Sequence, residues 1–136
     1  MEINPPHETV SLDGSRHGRA LLFDTKTVHD AMLFPCLLTS LQPDYLLTYR
    51  LSPLNADRTQ VTADIYFHPA SAGDFPDVYD FWDRVNAEDR AICEDQQRNT
   101  SSRAFAPACY VSVEEGMHAF DRMVAAIHAS ANANEQ

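Results

Sequence analysis

Thr59-Gln60-Val61-Thr62-Ala63-Asp64-Ile65-Tyr66-Phe67 alternates without a break, with Val61, Ala63, Ile65 and Phe67 on one side and Gln60, Thr62, Asp64 and Tyr66 on the other. Successive side chains of a strand point to opposite faces, so this stretch predicts a half-buried strand. Upstream, Tyr45, Leu47, Tyr49 and Leu51 alternate with Leu46, Thr48, Arg50 and Ser52, and the connecting residues Pro53 to Arg58 include Pro53, Asn55 and Asp57. Turn chemistry between two alternating runs predicts a β-hairpin. Two weaker strands are expected before it, Gly18 to Phe23 and Leu33 to Leu41. The second is expected to be bent or at a sheet edge, because Pro35 has no N–H for a ladder.

Past the turn-rich Pro69 to Pro76 the period of the apolar residues changes from two to between three and four. Pro76 fits a first helical turn, Asp77 and Asp80 complement its positive end, and Val78, Phe81, Trp82, Val85 and Ile92 share one face. A helix covering at least Val78 to Cys93 follows. Trp82 reads as core packing on that stripe. A second helix is expected from Ser112, which with Glu115 reads as a capping box, and it should bury Val113, Met117, Phe120, Val124 and Ile127. Strands first and helices last make an α+β domain, an antiparallel sheet covered on one face. Residues 1–16 read as a loose lead-in, 17–129 as a single domain and 130–136 as a frayed tail.

Composition removes several function classes. One lysine and nine arginines stand against 20 acidic residues in a chain of 136, for a net charge of −10, which argues against nucleic acid and anionic membranes as partners. The longest charge-free stretch, Ala31 to Pro43, is too short to span a bilayer and contains two prolines. With no signal-peptide pattern near Met1, the expectation is a cytoplasmic protein. Cys36, Cys93 and Cys109 form no paired motif, so neither a disulfide framework nor a cysteine-held metal is expected from this chain.

At about 100° per residue, Asp89 falls within roughly 40° of Val85 and Gln96 within roughly 20° of it, on the apolar side of the first helix, whereas Glu94 points away. A carboxylate facing a core needs a compensating partner. A salt bridge to an arginine such as Arg50, a backbone amide, or a metal ion would each serve. Asp89 is therefore expected to be mostly buried.

The run Phe34-Pro35-Cys36-Leu37-Leu38-Thr39-Ser40-Leu41-Gln42-Pro43-Asp44-Tyr45, with Tyr49-Arg50-Leu51-Ser52-Pro53, resembles the central strands of the catalytic domain of Rieske-type non-heme iron oxygenase large (alpha) subunits. Phe81-Trp82-Asp83-Arg84-Val85-Asn86-Ala87-Glu88-Asp89 resembles that family's ligand-bearing helix, and Ser102-Arg103-Ala104-Phe105 and Glu114-Glu115-Gly116-Met117-His118-Ala119-Phe120 its closing stretch. The resemblance spans about Leu33 to Ile127 and takes in ring-hydroxylating and quaternary-amine branches. It implies part of a helix-grip (START/Bet v1-like) domain, an antiparallel sheet with long C-terminal helices. It implies Asp89 as the carboxylate ligand of a mononuclear Fe(II), with Asn86 and Gln96 beside it, and a small organic substrate hydroxylated or demethylated with dioxygen.

The chain departs from that family in what it lacks. No cysteine has a histidine at the spacing of a [2Fe–2S] cluster motif, and none of His7, His17, His29, His68, His118 and His128 makes the H-x4-H pair that supplies the two imidazoles. His7 and His17 are the only substitutes near where that pair would end. Asn99 and Ala108 replace glycines the family favours. Two readings stay open: the carboxylate-bearing piece of an oxygenase, inactive alone and completed by a companion Rieske-containing polypeptide, or a non-catalytic helix-grip binding module that has lost its metal. A sheet with four strands where the family has more implies a homo-oligomer or such a companion.

Overall fold

The computed structural model describes residues 1–24, 26–107 and 109–133. It contains two compact units, residues 1–100 and residues 101–136, so the division falls inside the stretch 17–129 expected as one domain. Each is described by itself.

In the first unit, β1 (His29–Leu33), β2 (Leu37–Leu41), β3 (Tyr45–Asn55) and β4 (Arg58–Phe67) form one antiparallel sheet in chain order, followed by α1 (Pro76–Thr100). The expected hairpin forms, with Tyr45 opposite Phe67, Leu47 opposite Ile65, Tyr49 opposite Ala63 and Leu51 opposite Val61. Its strands run further than expected, because Pro53 removes no ladder bond. Gln42 N–H donates to Tyr45 O and Leu51 N–H to Cys36 O, each at 2.8 Å, so the odd-numbered residues of β3 turn their backbone toward β2. The β2–β3 pairing ends at Leu37 and Arg50, short of Pro53.

Leu33 to Leu41 is not one bent strand but the end of β1, a turn at residues 34–36 containing Pro35, and β2. Gly18 to Phe23 forms no strand. It is held instead by Arg19, whose side chain has no exposed surface: Nε donates to Asp44 Oδ2 at 2.6 Å, Nη1 to Asp77 Oδ2 at 2.9 Å and Nη2 to Ser15 O at 2.9 Å. Thr9 donates its hydroxyl to the other oxygen of Asp44, and the guanidinium lies 5.3 Å from the centroid of the Phe75 ring. The expected loose lead-in is thus pinned. Thr9 and Ser11 are buried, and Tyr45 Oη donates to Val10 O at 2.5 Å. Satisfying a buried ion pair required the lead-in to supply acceptors and donors.

The core is small: Tyr45, Leu47, Phe75 and Val78, with Tyr49, Ile65, Phe67 and Trp82 half-buried around them. The rings of Phe67 and Phe75 pack at a tilt of 45° with centroids 4.4 Å apart. The helix prediction is met and exceeded, since α1 begins at Pro76 with Asp77 in its first turn. Only its first three turns are covered, however. From residue 87 onward every α1 side chain is exposed, Ile92 at 54%.

In the second unit a 3-10 turn at Ser112–Glu114 leads into α2 (Glu115–Ala133). The cap sits one residue earlier than the Ser112/Glu115 pair predicts: Val111 N–H donates to Glu114 Oε2 at 2.8 Å, and Glu114 N–H returns to Val111 O at 2.9 Å. The expected apolar stripe is present but only partly covered: Phe120 and Val124 are half-buried, while Val113, at 89%, Met117 and Ile127 are exposed. The reason is that a single helix has no second apolar face to meet. The helix continues through residues 130–133 of the expected frayed tail; residues 134–136 and the glycine-to-Ala108 departure lie outside the described residues.

Candidate functional site

The sheet face turned toward α1 is set by the register. Tyr45, Leu47, Tyr49 and Leu51 of β3 lie on it with Phe67, Ile65, Ala63 and Val61 of β4. Two hydrogen bonds fasten α1 to this face one helical turn apart. Trp82 Nε1–H donates to Tyr45 Oη at 2.8 Å, and Tyr49 Oη–H donates to Asn86 Oδ1 at 2.7 Å. Trp82 is therefore a core residue, as expected, and not the wall of a ligand cage.

Asp89 follows Asn86 by three residues and so lies on the same helix face, one turn further on. The carboxylate is close enough to Tyr49 to affect its ionisation. Tyr49 is pushed above the ordinary tyrosine value chiefly by burial, opposed by its bond to Asn86 and reinforced by the negative charge of Asp89. The helical phase read from the sequence is thus right, but the expected burial of Asp89 is not: its side chain is exposed. β3 runs on to Asn55, but beyond Asn86 no described residue covers α1, and a stripe that is apolar in angle is buried only where something covers it. Asn86 is half-buried and Gln96, nearly three turns further along α1, is exposed. Arg50, expected as a partner for Asp89, lies on the opposite face and pairs with Asp64 at 3.1 Å.

Among the described residues no group of three or more metal-ligating side chains includes Asp89. One such group lies elsewhere, Asp13, His17 and Asp77, with ligand atoms within 4.8 Å of one another. His17 Nε2 stands 3.0 Å from Asp13 Oδ2 and 4.0 Å from Asp77 Oδ2. These groups already have partners. Asp77 accepts both contacts from Arg19 Nη1, and the backbone N–H of Ser15, bonding Asp13 Oδ1 at 2.8 Å, holds the Asp13 carboxyl below its usual range. The guanidinium against Asp77 disfavours a second cation there. His7, the other substitute considered, is exposed and outside this group.

Tyr49, Arg19, Asp44 and Asp77 were not singled out as site residues from the sequence. Arg19 sat inside a supposed strand, and Asp44 just before the first strand of the supposed hairpin. Tyr49 was read only as an apolar-face residue, although a tyrosine there always brings a hydroxyl needing a partner.

A four-stranded antiparallel sheet with one long helix laid over its face defines part of an α+β domain. The family model for the ring hydroxylating alpha subunit (catalytic domain) matches residues 4–130, nearly the whole chain, and the chain belongs to that family. The match covers a partial catalytic domain of a Rieske oxygenase alpha subunit, and the sheet and helices are consistent with its helix-grip fold. No described helix is long and apolar enough to cross a membrane.

Proposed function

We propose that this chain is the carboxylate-bearing portion of an oxygenase catalytic domain, which takes part in dioxygen-dependent hydroxylation or demethylation of a small organic substrate once a second polypeptide completes it. The observation that carries this reading is the placement of Asp89 on α1, in phase with Trp82 and Asn86, at the point where the sheet face becomes uncovered.

The family is one of non-heme iron oxygenases, and an iron site of that kind needs two imidazoles beside a carboxylate. The described residues do not fit it: Asp89 has no such companions, and the one histidine-containing cluster is built on a guanidinium-paired aspartate. No chemical step is assigned to this chain alone. Its own residues do something more limited. The Tyr49 hydroxyl, by donating to Asn86 Oδ1, fixes the azimuth of α1 on the sheet and so directs Asp89 toward the open side. Raised above its ordinary ionisation range, that phenol stays protonated at neutral pH and keeps donating.

Completion should come from a polypeptide carrying the cluster motifs and an H-x4-H segment. The test is elemental iron content after co-purification with a candidate of that description, for the natural chain and for Asp89→Ala. The reading expects iron that rises on co-purification and falls to the candidate's own level with Asp89→Ala. Equal iron with both chains would refute the ligand role.

A further inference from the structure

The face of the sheet that α1 lies on is interrupted by one polar strip. The register aligns side chains in rows across that face: Asp30 of β1, Ser40 of β2 and Leu47 of β3 share one row, and Met32, Leu38 and Tyr49 share the next, about 7 Å along the strands. Gln42, whose N–H donates to Tyr45 O, stands beside Ser40's row on the same face. Hydrogen bonds join the three polar residues. Gln42 Nε2–H donates to Ser40 Oγ at 2.8 Å, and the Ser40 hydroxyl donates to Asp30 Oδ1 at 2.5 Å. Chemistry fixes the direction of this chain. A carboxylate only accepts, so the single hydroxyl hydrogen goes to Asp30 and the amide must present its nitrogen to Ser40. Gln42 Oε1 is thereby left without a partner among the described residues, although Gln42 is only 1% exposed. Buried polar atoms are seldom left so, because a hydrogen bond to water is given up and not replaced. At its other end the chain reaches an exposed carboxylate, that of Asp30. A buried amide is thus held, against stability, in the orientation that steers an exposed charge.

We propose that Asp30, set by Ser40 and Gln42, anchors a protonated amine with at least one N–H on the small organic substrate; the inference rests on the reading above that such a substrate meets this domain. Three observations select that chemistry. From the row of Gln42, Tyr45 and Phe67 to the row of Leu51 and Val61, this face of the sheet holds no lysine, arginine or histidine, so nothing on it receives an anionic group. What the strip leaves over is acceptor at both ends, Gln42 Oε1 and the Asp30 carboxylate. A carboxylate accepting from an ammonium N–H makes a charge-assisted bond, stronger than one to a neutral donor. Beside the strip the wall turns apolar: Met32 is 37% exposed, Leu38 is half-buried, and Tyr49 in their row bonds Asn86, one turn before Asp89. An amine held at Asp30 therefore lays an apolar body along Met32 and Leu38, on the side of the strip toward Asn86 and Asp89. Ser40 and Gln42 are positioning residues in this arrangement, and Asp30 alone carries the charge.

The test is amide chemical-shift mapping of the isotope-labelled chain with four probes of one shape: benzylammonium, benzyltrimethylammonium, benzyl alcohol and benzoate. The proposal expects saturable shifts centred on Asp30, Leu38 and Ser40 with benzylammonium, about tenfold tighter than with benzyl alcohol. Benzyltrimethylammonium, charged but without an N–H, should fall between the two, and benzoate should not bind. Asp30→Asn, at an exposed position, should bring benzylammonium down to the level of the alcohol. Ser40→Ala releases Asp30 without removing its charge, so benzylammonium should fall to the level of benzyltrimethylammonium, a narrowing that a loss of stability alone does not produce. Asp89→Ala should leave all these titrations unchanged, which separates this inference from the ligand role of Asp89. Equal binding of the ammonium and the alcohol, shifts centred elsewhere, or natural binding by Asp30→Asn overturns the proposal. So does the absence of saturable binding, including the case in which Asp30→Asn instead weakens co-purification with the completing polypeptide, since Asp30 would then pair with a cation of that polypeptide.

Discussion

Replacing Arg19 by methionine keeps most of the side-chain volume against Phe75 and removes only the guanidinium. Asp44, with no exposed surface, then loses its 2.6 Å partner and retains the Thr9 hydroxyl alone, while Asp77, about one-sixth exposed, is free to turn to water. Leaving one buried charge without its partner costs about 3–5 kcal/mol. That is a large share of the roughly 5–15 kcal/mol by which a domain is stable. With a urea dependence of about 1.5 kcal/mol per molar, the unfolding midpoint should fall by about 2–3 M. Urea melts followed by circular dichroism read this directly. The double variant Arg19→Met, Asp44→Leu removes the orphaned charge and should recover at least half of the loss. A single-variant loss below about 1 kcal/mol, or no recovery in the double variant, would refute the idea that this ion pair holds residues 1–16, the β2–β3 turn and the start of α1 together.

Asp89→Asn should change stability by less than about 0.5 kcal/mol, because the side chain is exposed; a thermal melt showing a larger change would reveal a partner unseen among the described residues. Trp82→Phe removes the indole N–H that donates to Tyr45 Oη and should cost about 1 kcal/mol or more in chemical melts. Tyr45 and Tyr49 are both raised above the ordinary value of 10.0, chiefly by burial, so the folded state keeps protons that the unfolded state releases. Their contribution is complete below pH 10 and is lost as pH rises through the folded values, and Tyr49→Phe should make alkaline unfolding less steep. The chain purified alone should hold sub-stoichiometric iron after dialysis and show no [2Fe–2S] absorption, as read by elemental analysis and visible spectra.

The hairpin and both helices were legible in the sequence because their periodicity is a property of the chain itself. Val61 to Phe67 alternate whatever surrounds them, and Val78 to Val85 repeat as a helix whatever covers them. Burial is different, since it belongs to two surfaces at once. Asp89 shares the angular position of Val85 but lies one turn past Asn86, beyond which α1 is uncovered, and no local pattern in α1 encodes where its cover stops. The same reason explains α2, whose stripe was read correctly in spacing and is only partly covered. Arg19 and Asp44 were illegible for another cause. They lie 25 positions apart, and a long-range ion pair leaves no periodic trace; only the presence of charged residues within otherwise apolar or turn-like stretches hinted at it.

The exposed carboxylate of Asp89 and the uncovered half of α1 belong to one physical situation. The stripe on α1 continues past its covered turns through Asp89, Ile92 and Gln96, and the chain gains nothing by keeping Ile92 in phase with Val85 on a face that meets only water. A piece that adds sheet beneath that half of α1 would bury Ile92, bring Asp89 into a low-dielectric setting, and make its charge costly unless a cation is bound there. Ligand strength and burial would then arrive together, with the second polypeptide and not before it. Until then Asp89 stays hydrated at little cost, which is why its neutral replacement should leave the isolated chain unchanged and matter only once the completing polypeptide is present.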